Sequence, residues 1–215
     1  TIPYGIKGVI WYQGESNVGN YEEYTVLLDG MINDWRSHWN DDFSFYFAQI
    51  APFIYSTSEI SQGLRDAQRK ILNVTPKTGM AILLDIGEEN DIHPHNKQDV
   101  GKRLALLALN KDYGFDLVDS GPLYLNHYVK NEYIEISFDH IGSGLFAKDK
   151  LEGFEIAGAD GVFYPANAQI KDNKVHLYSE RIIKPINVRY GWKNYFEATL
   201  FNKEGLPASS FSSSD

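Results

Sequence analysis

The first 112 residues alternate short apolar runs with longer amphipathic stretches, and this alternation constrains the fold of the 215-residue chain more than any other feature. Residues 6–12, IKGVIWY, are β-branched and aromatic and read as a strand. Asn20 stands where an N-cap would, with Glu23 in capping-box register. Tyr24, Leu27, Leu28, Met31 and Trp35 then recur at helical spacing, predicting a helix over 21–38. FSFYFAQI at 43–50 reads as a second strand. A second helix is predicted over 59–74, with Ile60, Leu64, Ala67 and Ile71 on one face. GMAILLDI at 79–86 is an unbroken apolar run of the kind buried on both faces of a parallel sheet. A third helix should start near Asn96 and bury Val100, Leu104 and Leu107. The order βαβαβα implies parallel strands with helices packed on the sheet. Three such units are few for an open sheet, so the chain is expected to begin partway through a domain.

After about residue 112 the texture changes. YIEISFD at 133–139, GFEIAG at 153–158, AQIK at 168–171, KVHLYS at 174–179 and INVRYGW at 186–192 alternate at the period of a strand. Asp172-Asn173 and the Gly158–Gly161 stretch read as turns between them. Two regions are therefore expected: 1–115, helices on a parallel sheet, and 116–215, antiparallel β. The serine-rich end, 208–215, is expected to fray.

Composition narrows the function classes. The net charge is −9, which repels phosphate backbones and argues against nucleic-acid binding. No apolar run approaches the roughly 20 residues of a membrane span. Cysteine is absent, so disulfides, thiol catalysis and Cys-ligated zinc are excluded.

Ligands of parallel α/β sheets bind beyond the carboxyl ends of the strands. Two polar blocks follow such ends: Gln13-Gly14-Glu15-Ser16-Asn17 after the first strand, and DIGEENDIHPH, 85–95, after the third. His93 has the chemistry of a general base, with Asp91, Glu89, Glu88 and Asp85 close in sequence as partners. The plainer alternative is a histidine that only shapes the loop before Pro94. Gln13 can offer an N–H to a developing oxyanion, and Gly14 lets a carbonyl approach the backbone; the alternative is a polar turn. Ser16 fails as a nucleophile, because the elbow pattern needs glycine two residues on and Val18 stands there. It is expected instead to bond the backbone of the turn before Asn20. His93 and His95 flank Pro94 with the alternate spacing that could ligate a metal, but no further histidine clusters with them, so no metal is expected.

The blocks GVIWYQGESNV (8–18), LRDAQ (64–68), DIGEENDIHPHNKQDVGKRLAL (85–106), GFEIAGADGVFYPA (153–166) and GLPAS (205–209) together resemble the sialate O-acetylesterase family, a branch of the SGNH hydrolases. The resemblance spans nearly the whole chain. It implies a partial flavodoxin-like parallel sheet with helices, followed by a small antiparallel β region. The activity it implies is serine acyl transfer removing acetyl groups from O-acetylated sialic acid or another acetylated carbohydrate. It implies no cofactor, and a secreted or periplasmic location. His93 matches the catalytic histidine. Gln13 falls in the block where many SGNH enzymes carry an oxyanion-hole residue, Glu15 organises the site, and Arg65 is expected to line the pocket with Gly14.

Two departures bear on the mechanism. The family pattern places Asp three residues before the histidine, where Asn90 stands here, so Asp91 becomes the candidate acid, with a Ser–His dyad as the alternative. The family also carries its nucleophilic serine well upstream of the QGES block, where this chain has none. The chain is therefore expected to be the C-terminal part of a longer esterase, inactive alone and completed by an N-terminal segment with the serine. A non-catalytic glycan-binding module, with the aromatic-rich β region as its surface, and a metal hydrolase using His93 and His95 are the alternatives.

Overall fold

A computed structural model describes residues 2, 4–55, 60–131 and 133–214. Strands β1 (Gly8–Trp11), β2 (Ser44–Ala48) and β3 (Thr78–Ala81) form a parallel sheet in the order β1-β2-β3. Three helices follow them in turn: α1 (Tyr21–Trp39), α2 (Ser61–Val74) and α3 (Lys97–Lys111).

The period-2 pattern of β2 explains why helices cover both faces. Phe45 and Phe47 join one apolar cluster with Leu28 and Ile32 of α1 and Leu64 and Ile71 of α2. Tyr46 and Ala48 join a second with Val100, Leu104 and Leu107 of α3. Each fully buried phenylalanine contributes about 2–3 kcal/mol by leaving water. All of β2 is buried, as expected of a central strand. β1 is an edge strand, and its Ile10 is 70% exposed.

The strand–helix boundaries follow the sequence reading closely, with two local corrections. The chain does not enter α1 through a capping box: Glu15–Asn20 form a 3-10 helix that runs directly into it, and Asn20 makes no side-chain cap bond. In the third run only Thr78–Ala81 pair as a strand, although Ile82, Leu83 and Leu84 beyond them are buried. Asn96 does cap α3, its side chain accepting the Asp99 N–H.

The second region is antiparallel. Its strands are β4 (Leu123–Lys130), β5 (Tyr133–Asp139), β6 (Leu145–Ala147), β7 (Phe154–Ala157), β8 (Phe163–Pro165), β9 (Asn167–Lys171), β10 (Lys174–Tyr178), β11 (Asn187–Tyr190), β12 (Leu200–Asn202) and β13 (Phe211–Ser212). They form sheets β4-β5-β10-β9 and β13-β11-β7-β8 and the pair β12-β6. Asp172 and Asn173 both take positive φ, 51° and 56°, in the two-residue turn joining β9 to β10. β4 escapes a pattern reading because it shows no clean inside–outside alternation and carries a register shift between Tyr124 and Asn126.

Residues 208–211 do not fray, and Asp215, also in the stretch expected to do so, lies outside the described residues. Ala208, Ser209, Ser210 and Phe211 are all fully buried, and Phe211 pairs with Tyr190. The serines there face buried polar groups. Gln49 donates to Ser209 Oγ at 2.7 Å and Arg65 Nε to Ser210 Oγ at 3.0 Å. One apolar cluster runs from Val18 to Phe211 and so includes residues on both sides of residue 115. Among the described residues, no helix is long and apolar enough to cross a membrane.

Candidate active site

The two polar blocks lie beyond the carboxyl ends of β1 and β3, and a contact joins the residues that flank them. The Lys97 ammonium, in the first turn of α3, stands 5.4 Å from the ring centre of Tyr12, the residue after β1. Tyr12 also packs against the apolar cluster that holds Ile86 and Val100. Burial, reinforced by the charge of Glu15, pushes the Tyr12 hydroxyl up to about 12, so it stays protonated at neutral pH.

Gln13 is held in place. Its side-chain amide donates to Asn17 Oδ1 at 2.6 Å, and its Oε1 accepts from the Tyr24 hydroxyl at 3.2 Å. An amide nitrogen carries two hydrogens, so one N–H remains for an incoming oxygen. Its carbonyl accepts from Tyr24 at 3.1 Å and from Gln68 Nε2 at 3.4 Å. Gln68 is fully buried and also accepts the Ile50 N–H at 2.9 Å, which ties the segment after β1 to the segment after β2.

Gly14 is required by its own packing. It is buried, and a Cβ there would lie 2.9 Å from Ile50 Cγ2 and 3.3 Å from Leu64 Cδ2. Its φ of 152° also favours glycine. The space in front of this residue is filled by protein, so its absent side chain serves internal packing. Glu15, half-buried, opens the 3-10 helix, and its charge bears on both Tyr12 and Tyr24. Ser16 is exposed in this turn, which is closed by the Asn17 N–H donating to the Gly14 carbonyl and not through the Ser16 hydroxyl.

His93 stands on the loop between β3 and α3 with its side chain 85% exposed. Asp91 lies beside it: Oδ1 is 3.8 Å from His93 Nδ1 and accepts the His93 main-chain N–H at 2.8 Å. The ring contact is longer than a hydrogen bond. Asp85 is removed from the set of possible partners. Arg103 of α3 grips both its oxygens, at 2.6 and 2.7 Å.

Arg65, expected to line the pocket, is instead completely buried. Nε reaches Ser210, one terminal nitrogen reaches Ser61 and the Asn194 carbonyl, and the other reaches the carbonyls of Gly191 and Lys193. These contacts use all five of its N–H groups to hold residues 191–194 and 210 against α2. Burial lowers its pKa to about 9, which leaves it charged at neutral pH.

The sequence reading took Tyr24 only as part of the apolar face of α1 and Glu88 only as a possible partner of His93, and it gave Gln68 no role; in the structure Tyr24 and Gln68 hold Gln13, and Glu88 pairs with His95. Glu88 Oε1 accepts the His95 main-chain N–H at 2.7 Å, and the ring Nδ1 lies 2.9 and 3.0 Å from its two oxygens. Among the described residues, Glu88, Asp91 and His95 bring ligand atoms within 4.8 Å of one another. A cation held here would use that trio and not the alternating pair His93 and His95.

No family model matches the chain. It is 34% identical to the sialate O-acetylesterase of Mus musculus over 139 residues, 55% of this chain and 26% of that protein. It is 29% identical to the enzyme of the same name from Rattus norvegicus over 157 residues, 62% of this chain and 29% of that protein. The crystal structure of a carbohydrate acetylesterase from Xanthomonas citri superposes with a TM-score of 0.91 at 38% identity, covering 98% of this chain and 51% of that one. The chain thus spans between a quarter and a third of the length of these curated relatives and about half of the solved one. Motif, sequence likeness and superposition agree in direction: the chain is similar to part of the sialate O-acetylesterases and to about half of a carbohydrate acetylesterase.

Proposed function

We propose that this chain supplies the histidine base and part of the oxyanion site of a carbohydrate O-acetylesterase of the SGNH type, acting on O-acetylated sialic acid or a related acetylated sugar. The observation that carries the reading is the pairing of functions at one sheet edge. An exposed imidazole stands beside the Asp91 carboxylate beyond β3, and an oriented Gln13 amide with an N–H to spare stands beyond β1. In this reading His93 takes the proton of a serine hydroxyl as that oxygen attacks the acetyl carbonyl. It then returns the proton to the departing sugar oxygen, and Asp91 favours the imidazolium formed between the two steps. Gln13 donates to the carbonyl oxygen as charge develops there. Water repeats the attack on the acetyl-enzyme and releases acetate.

The nucleophile in this account is a serine outside these 215 residues. Ser16 lies in the wrong turn for an elbow, and Ser209 and Ser210 are fully buried against Gln49 and Arg65. The open edge of β1 offers room for a further parallel strand to bring that serine to the carboxyl end of the sheet.

The test is acetate release by the full-length protein from O-acetylated sialic acid. His93→Ala should lower kcat by about a thousandfold, within the range for loss of a general base, with sugar binding largely kept. Full activity of that variant would remove the reading. Tight sialoside binding without turnover, indifferent to Gln13 and His93, would favour a glycan-binding module instead.

A further inference from the structure

Among the described residues, the His93 ring has one polar neighbour, Asp91. Apart from Asp91 at 3.8 Å, the position of its ring follows from the shape of the loop that carries it. Both ends of that loop are fixed. A Cβ on Gly87 would lie 2.2 Å from the Pro52 carbonyl oxygen, so the backbone packs directly on that segment, and the Ile54 N–H reaches the Glu89 carbonyl at 3.2 Å. Beyond the histidine, Pro94 is buried and the Lys97 N–H bonds the His95 carbonyl at 2.8 Å.

Between these anchors, His93-Pro94-His95 has only two main-chain N–H groups, because proline has none. Each is taken by a carboxylate: His93 by Asp91 at 2.8 Å and His95 by Glu88 at 2.7 Å. Glu88 and Asp91 also form an isolated antiparallel bridge. Glu88 goes further than Asp91, because its two oxygens engage the His95 ring as well.

We propose that Glu88 is a positioning residue for His93: by holding both the main chain and the ring of His95, it closes the 88–95 loop and fixes where the His93 imidazole stands. The claim rests on reading His93 as the base, but its physical core, that Glu88 orders His93, can be measured separately. Nothing in the periodicity of the sequence marks Glu88, since its partner is seven residues on across an irregular loop.

Two readouts on the full-length protein test it. With 15N-labelled histidine, Glu88→Ala should give His93 the line broadening of a ring exchanging between positions, whereas Glu88→Gln, which keeps an acceptor for the His95 N–H, should not. Against the acetylated sugar, Glu88→Ala should lower kcat about tenfold with KM little changed, the cost of misplacing a reacting group. Glu88→Gln should recover most of that loss. A sharp, unshifted His93 signal in Glu88→Ala overturns the proposal, as does an unchanged kcat when His93→Ala abolishes turnover. If His93→Ala proves active, the reading of His93 as base fails, and the histidine spectra alone decide whether Glu88 orders it.

Discussion

Two charged clusters of this molecule lie in stretches that resemble the same family, yet they do opposite work. Around Arg65 every donor is buried and satisfied by serine hydroxyls and main-chain carbonyls. Around His93 the side chains are exposed, the histidine–aspartate contact is loose, and the tight bonds are those that shape the loop. The first cluster holds the end of the chain against α2. The second presents a titratable ring at the mouth of the sheet. A polar residue in a motif is therefore not yet a site residue; what separates the two is whether its hydrogen-bonding capacity is already filled by the protein.

Breaking the buried cluster gives the largest effect. Arg65→Leu leaves several buried acceptors without a donor and should destabilise the full-length protein by about 3 kcal/mol or more, read from the denaturant midpoint. Arg65→Lys should restore little, because an ammonium cannot reproduce the planar fork. Unchanged stability with lost activity would mean that Arg65 is chemical, and the contrast would collapse.

Gln13 sharpens the contrast from the other side. Gln13→Ala should lower kcat about a hundredfold, as for loss of an oxyanion donor. Its effect on stability should be much smaller than that of Arg65→Leu, because Tyr24 still reaches the main-chain carbonyl at 3.1 Å. A comparable loss of stability would place Gln13 with Arg65, among the residues that build the fold.

The smallest effect is a titration. Hydrogen bonds from His95 hold the Glu88 carboxyl below its ordinary range, and Glu88, with the charge of Asp91, holds His95 above its own, against an opposing Lys97. A raised histidine favours the ordered loop below its unfolded pKa and loses that contribution as pH rises through the folded value. A lowered carboxylate loses its contribution as pH falls through its folded value. The clamp is thus strongest between those two limits. In an NMR titration His95 should keep its proton to higher pH than a free histidine, and Glu88→Gln should bring its midpoint back toward 6.5. An unmoved midpoint would show that the pair does not form in solution.

Much of this was legible in the residues themselves. Tyr24, Leu28, Leu64, Ile71, Leu104 and Leu107 recur at helical spacing, and every one is buried. Val175 and Leu177, and Ile134 and Ile136, alternate as strands covered on one face do, and all four have no exposure. What escaped was set by tertiary contact. The serine-rich end looked solvated because serine is usually exposed, but Arg65 and Gln49 make Ser209 and Ser210 useful inside. Gly14 read as an approach for a carbonyl, and only the packed structure shows that Ile50 occupies the space a side chain there would need. At the proposed site, His93, Asp91 and Gln13 were legible only as residue types after strand ends. Glu88–His95 and Gln68–Gln13 were not, because a hydrogen bond across a loop or between two segments leaves no period in the sequence.

The central claim is that this chain carries the base and not the nucleophile. Labelling the full-length protein with a fluorophosphonate, followed by peptide mass mapping, tests it directly. The account predicts one modified serine outside these 215 residues, with the labelling rate sharply reduced by His93→Ala. An adduct on Ser16 or another serine of this chain, or a labelling rate indifferent to His93, would contradict it.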